Sequence, residues 1–273
     1  MIFKDIASFI KYSIDLFRDD ASPEGLTFRS YYASYMDYFG NAISFQFNKQ
    51  TEQVCSLINK FKTSPSILEV GCGCGTETLW FALSGAVVKG IDLREDRLET
   101  ARYRKNMLEH SFGINLDATF ENVDIFEYAS ASCSQKRVDI IWMEQAFHHI
   151  EPREELPGVI YNLLSDDGFC VICESNGWNP FLQYILFRER GFELVKTFLD
   201  DNGKEHLYGN ERITRPFKLI RLFEKHGFKL IFKEYFRISP NKKFADWFYS
   251  FERYIPEYLL PLFVHYTVVL QKC

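Results

Sequence analysis

The segment Ile67-Leu-Glu-Val-Gly-Cys-Gly-Cys-Gly75 constrains this chain more than any other. An apolar run suited to a buried strand passes directly into three glycines on alternate positions, and a helical stretch follows over 76–83. Glycine adopts positive φ without steric cost and, lacking a Cβ, lets a ligand or another backbone approach closely. The helix behind it starts with N–H groups that have no partner inside the helix. Gly71, Cys72, Gly73 and Gly75 are therefore candidates to cradle a ligand. Glu69, two residues before the first glycine, is a carboxylate badly placed for a pyrophosphate and well placed for a ligand carrying an ammonium group. Thr76 stands where the dinucleotide fingerprint G-x-G-x-x-G wants Gly or Ala, which disfavours a nicotinamide dehydrogenase.

Downstream, short apolar runs alternate with amphipathic stretches. The strand candidates are 67–70, 87–91, 119–123, 138–142 and 169–173, with a charged helix over 94–110. Such alternation predicts a parallel sheet covered by helices. Asp92 ends the second strand seventeen residues past Gly75, with Leu93 beside it. A carboxylate there can accept from both hydroxyls of a ribose, and as a plain alternative it caps the helix that follows. Asp124 and Ile125 follow the third strand, where an acid can accept from an adenine amino group and an apolar neighbour can flank the ring. The fourth strand and its exit read Val138-Asp-Ile-Ile-Trp-Met-Glu-Gln-Ala-Phe-His-His-Ile150 and add Met143, Glu144, His148 and His149.

In order and spacing these segments resemble the class I S-adenosylmethionine-dependent methyltransferases of the small-molecule type. Ile67–Gly75 is similar to their first motif, Asp92 to their ribose-binding acid, Asp124 to their adenine-binding acid. The stretch 138–149 resembles the segment that runs under the methionine part of the cofactor. Leu163–Phe169 resembles their helix-to-fifth-strand turn, and the last strand their terminal hairpin. The resemblance implies a Rossmann-like, doubly wound seven-stranded sheet with the last strand antiparallel. To this it adds an N-terminal helical cap over 1–62 and a methyltransferase core over 63–273, within which 176–226 is a covering insertion after the fifth strand. It implies S-adenosylmethionine as cofactor and a methyl acceptor that is a small molecule, most simply a hydroxyl of a metabolite, sugar derivative or lipid-linked precursor. An oxygen acceptor must lose its proton, so a general base is needed. His148 and His149 are the first candidates and Glu144 the second, while His149 serves equally well as a cap or packing residue.

The remaining features bound these readings. The chain has 273 residues, 47% of them hydrophobic, with 27 Phe, 15 Tyr and 4 Trp, so it has ample apolar surface to fold. The aromatic cluster from Phe28 to Phe47 reads as core before substrate wall. A net charge of −5 offers little grip on a polyanion, and no nucleic-acid partner is expected. An RNA or protein methyltransferase and a non-catalytic cofactor-binding subunit are the alternative functions. No apolar run is long enough to span a bilayer, and the seven cysteines fit a reducing, cytoplasmic setting. Peripheral membrane contact and a homodimer stay open through the aromatic stretch 244–262. Cys170 and Cys173 lie three apart on a strand and so face opposite sides. No metal ligands are assigned.

Overall fold

The computed structural model describes residues 2–131, 137–199 and 203–273. The chain divides into two compact units: residues up to Asp124 with Ser239–Ser250, and Ile125–Ile238 with Phe251–Cys273.

The first unit begins with helices α1 (Ile6–Phe17), α2 (Pro23–Tyr31), α3 (Ala33–Met36) and α4 (Asn41–Ile58). Asp5 caps α1 reciprocally with Ser8: its carboxylate accepts from the Ser8 N–H, and the Ser8 hydroxyl oxygen accepts from the Asp5 N–H. Ile6, Phe9, Ile10, Ile14 and Phe17, spaced three or four apart, are the buried face of that helix. The unit continues through β1 (Ser66–Val70), α5 (Thr76–Leu83), β2 (Val87–Asp92), α6 (Glu95–Phe112) and β3 (Ala118–Asn122). The three strands pair in parallel, with Val70 opposite Ile91 and Asp92 opposite Asn122. The aromatic cluster packs as core in part: Phe28, Tyr32 and Phe47 are buried, and the Phe28 ring meets those of Phe17 and Tyr32 at centroid distances of 4.7 Å, whereas Tyr31 is exposed and Tyr35, Tyr38, Phe39 and Phe45 are half-buried.

One side chain ties these helices to the glycine turn. Arg104 of α6 is buried, and its Nη1 donates to the Cys74 carbonyl (2.6 Å) and the Thr76 hydroxyl (2.8 Å). Its Nη2 donates to the Ser13 hydroxyl of α1 (3.1 Å), and the guanidinium lies over the rings of Phe28 and Phe9. The Tyr32 hydroxyl bonds the same Thr76 oxygen.

The second unit runs through α7 (Ile125–Ala131), β4 (Val138–Glu144), a single 3₁₀ turn (Phe147–His149), α8 (Leu156–Leu163) and β5 (Leu164–Ser175). It continues with α9 (Pro180–Arg190), β6 (Val195–Leu199), β7 (Glu205–Gly209), α10 (Pro216–Glu224), β8 (Phe228–Phe236) and β9 (His265–Lys272). β4 and β5 are parallel, with Glu144 opposite Cys173. Their register slips where Ser165–Gly168 bulge out and Asp167 takes φ +61°. β9 runs antiparallel to both β5 and β8. β6 and β7 form a separate two-stranded antiparallel ribbon within the stretch read as a covering excursion.

The seven strands of the main sheet are ordered β3-β2-β1-β4-β5-β9-β8. The last strand is thus the antiparallel one, as expected, and it sits inside the sheet with β8 at the edge. Cys170 and Cys173 are buried free thiols. Among the described residues no helix is long and apolar enough to cross a membrane.

Gly75 stands at φ +72°, and a Cβ there would lie 2.7 Å from both the Ala101 methyl and the Phe120 ring. Gly113 has a similar φ of +62° with open space around it. Left-handed strain costs about 1–2 kcal/mol, and overpacking adds about 1–3 kcal/mol. Urea unfolding is therefore expected to show Gly113→Ala losing only the strain contribution and Gly75→Ala losing both. Equal losses for the two variants would contradict this packing.

Candidate active site

In the first unit the glycine turn and the end of β2 are built into one another. The N–H groups of Gly71 and Cys72 both donate to the Ile91 carbonyl (2.8 and 3.0 Å), and Gly75 N–H donates back to Cys72. The Asp92 carboxylate accepts from Gly73 N–H through Oδ2 (2.8 Å) and from Arg94 N–H through Oδ1 (2.9 Å). Asp92 thus stands beside the turn, while the expected alternative of a helix cap is not met: the N-cap of α6 is Arg94, and no side chain caps that helix. Each Asp92 oxygen keeps a second lone-pair direction with which to accept from a ligand hydroxyl. Leu93 is half-buried beside it; Asp124 is half-buried just past β3, and Ile125 is buried.

Gly71 is the open residue of the turn, whereas Cys72 through Gly75 are buried. Glu69 is buried too, and the Thr78 hydroxyl donates to it. Burial, with Asp92 and Glu69 adding to it, pushes the Cys72 thiol well above its ordinary range. Burial likewise raises Cys74 to about 12. Neither sulfur is a nucleophile at neutral pH. A Cβ on Gly73 would stand 2.5 Å from the Tyr31 hydroxyl. Tyr31, with the Arg97 guanidinium 5.0 Å above its ring, therefore lines the turn from α2. It belongs to the aromatic cluster that the sequence reads as core before substrate wall, and the structure leaves it exposed.

The second unit gathers a different set of groups. The 3₁₀ turn after β4 places His148 in the interior and His149 half-buried beside it. His148 Nδ1 lies 2.7 Å from Oε2 of Glu174, a carboxylate buried near the end of β5. His148 Nε2 faces Glu211 Oε2 at 3.6 Å. Burial opposes a charged imidazole, but the Glu174 and Glu211 carboxylates outweigh it and hold the His148 pKa above its usual value. His149 Nδ1 donates to the Gly209 carbonyl (2.8 Å), and its ring stacks on Tyr208 with centroids 4.4 Å apart.

Glu211 adopts φ +50°, a strained conformation for a side-chain-bearing residue. It is held just past the ribbon, whose Tyr208 bridges Ile150 and whose Gly209 would clash with the His148 carbonyl if it carried a Cβ. Arg153 donates to the His148 carbonyl and to Thr214, and Arg212 pairs with Glu151 at 2.6 Å. Met143 is fully buried in β4 and Glu144 half-buried at its end. Glu174 and Glu211 were not sequence candidates: they lie 26 and 63 residues from His148, and only the fold brings them to it.

A family model described as a methyltransferase domain matches residues 45–233. A ubiquinone biosynthesis O-methyltransferase of Glaesserella parasuis is 24% identical over 165 residues, 60% of this chain and 64% of that protein. The chain spans about half of the further curated relatives that carry the same name. Among solved structures, magnesium protoporphyrin IX methyltransferase from Synechocystis PCC 6803, with bound SAH, superposes with a TM-score of 0.53 at 12% identity, over 85% of this chain and 86% of that one. An S-adenosylmethionine-dependent methyltransferase from Methanosarcina mazei gives 0.53 at 17% identity, over 80% and 96%. The fold is that of the class I S-adenosylmethionine-dependent methyltransferases.

Glu77, in the first turn of α5, is buried, and that burial raises its pKa from 4.5 to about 7. The folded protein then keeps a proton that the unfolded chain releases, so this group's stabilisation is full below pH 4.5 and is lost as pH rises to about 7. Glu77→Gln is expected to gain stability relative to the parent as pH rises through that window. Parallel urea titrations at the two ends of the window check it. A constant difference between the two proteins would contradict the burial effect.

Proposed function

We infer, from the premise that this chain belongs to the methyltransferase-domain family, that it transfers the methyl group of S-adenosylmethionine to a hydroxyl of a small molecule. The observation that carries the oxygen acceptor is the buried His148–Glu174 pair at 2.7 Å. The relatives named as O-methyltransferases support the same choice.

The cofactor supplies an activated methyl on a sulfonium when bound, and each unit holds residues whose chemistry suits its other parts. The Cβ-free turn of Gly71, Cys72, Gly73 and Gly75 leaves room for the amino-acid moiety, with Glu69 as its acidic neighbour. Asp92, beside Leu93, offers lone pairs to the ribose hydroxyls, and Asp124 with Ile125 serves the adenine. Met143 and Glu144, of the second unit, are the residues we assign to the methionine part. We assign residues 1–62 as a helical cap and 176–226 as a covering insertion, and exclusion of water from a covered site strengthens its polar contacts.

At the acceptor, His148 Nε2 takes the hydroxyl proton as the oxygen attacks. Glu174 holds the Nδ1–H, which fixes the tautomer and stabilises the imidazolium that forms. His149 positions the site by its stack on Tyr208. The acceptor is a metabolite, sugar derivative or lipid-linked precursor, methylated in the cytoplasm.

Incubation with labelled cofactor and a panel of hydroxylated metabolites tests the reading. His148→Asn is expected to lower kcat by about 10²–10⁴-fold with cofactor affinity unchanged. Because the carboxylates hold the imidazole pKa high, the rising limb of kcat/KM against pH lies above the ordinary histidine range. Glu174→Gln is expected to move that limb to lower pH and to slow transfer. Transfer only to RNA or protein, or an undiminished kcat in His148→Asn, would overturn the assignment.

A further inference from the structure

His148, His149 and Glu211 meet in a way that a proton-accepting histidine alone does not require. We propose that these three side chains bind one divalent cation of the zinc class, at the point on which both Nε2 atoms and the Glu211 carboxylate converge. One ligand atom from each lies within 4.8 Å of the other two. His148 Nε2 is 3.6 Å from Glu211 Oε2, and His149 Nε2 is 3.8 Å from Oε1. These separations are too long for hydrogen bonds. They match the spacing of atoms that share an ion at roughly 2.0–2.2 Å from each.

The far side of each imidazole sets what the near side offers. The Gly209 carbonyl can only accept, so His149 carries its proton on Nδ1 and directs the Nε2 lone pair toward Glu211. Glu174 fixes His148 in the same sense when that ring is neutral. A carboxylate or a backbone carbonyl on the outer ring nitrogen is the arrangement that orients metal-ligating histidines. All three converging groups are then lone-pair donors, with a net charge of −1 at the carboxylate.

The neighbouring guanidiniums do not fill the position: Arg212 pairs with Glu151, and Arg153 donates to Thr214 and the His148 carbonyl. Glu211 reaches the histidines through a strained φ of +50°, in a segment held by the Ile150–Tyr208 bridge. Two imidazoles and one carboxylate suit zinc, cobalt, nickel or ferrous iron, whereas magnesium and calcium prefer all-oxygen sets.

Binding would occupy the His148 lone pair that accepts the acceptor's proton, so the cation competes with transfer. That consequence rests on the functional reading above; the binding itself does not.

Chelator-treated full-length protein, titrated with Co²⁺ and read by visible d–d absorption, is expected to take up one equivalent, which Zn²⁺ displaces. X-ray absorption on the zinc-loaded wild-type protein is expected to report imidazole and carboxylate ligands. Absence of a saturable equivalent, or thiolate ligation, overturns the proposal whatever the variants do. Glu174→Gln, which removes the outer partner of His148, is expected to weaken binding by about 10–100-fold. Glu211→Gln and His149→Asn, checked for unchanged melting, are expected to abolish the stoichiometric equivalent. Wild-type affinity in either folded variant would also overturn it. Methyl transfer slowed by Zn²⁺ and restored by chelator supports the competition, and an unchanged rate with zinc bound removes it. No transfer with or without zinc counts against the methyl-transfer reading, while the cobalt titration still decides the site.

Discussion

A fully buried guanidinium has to be solvated by the protein that surrounds it, and in the first unit Arg104 imposes that demand on everything near the glycine turn. Leaving such a cation without hydrogen bonds costs several kcal/mol. Its partners come from α1, from the turn backbone and from the start of α5, while the rings of Phe9 and Phe28 cover its faces. Burial lowers its pKa, yet arginine starts so high that it stays charged. The helices before β1 are therefore part of the support of the turn. A shift of α1 would withdraw the Ser13 hydroxyl from a cation that has no water to replace it.

The fold was legible where the local pattern is dictated by burial. The strand-to-glycine transition at Val70–Gly71 and the apolar strands 138–144 and 169–173 have no other comfortable environment than a covered sheet, and the seven strands with the last one antiparallel are what the family resemblance implied. The ribbon was not legible. β6 has almost no buried face, since only Phe198 along it is even half-buried, and a strand without an inside shows no period-two alternation. Arg104 was equally silent, because in the charged helix α6 it reads as one more solvated residue.

The candidate site divides in the same manner. Residues whose partners are near in sequence or at a predictable strand end, such as Asp92 beside Gly73, could be named from spacing. Glu174 and Glu211 could not, because their meaning depends on which chain segments meet His148. His148 itself shows two opposed effects at one nitrogen pair. Burial favours the neutral ring and two carboxylates favour the cation, so its proton affinity reports the balance between packing and charge at that spot.

The ribbon carries a further consequence. Tyr208 and Gly209, which touch His149 directly, and Glu211 just beyond them belong to a two-stranded ribbon that is separate from the ladder of the main sheet and meets Ile150 and His149. Insertions, deletions or replacements there leave every strand register of the main sheet intact. A change of sequence in this hairpin can thus alter the groups that face the two imidazoles while every strand pairing of the main sheet stays as it is.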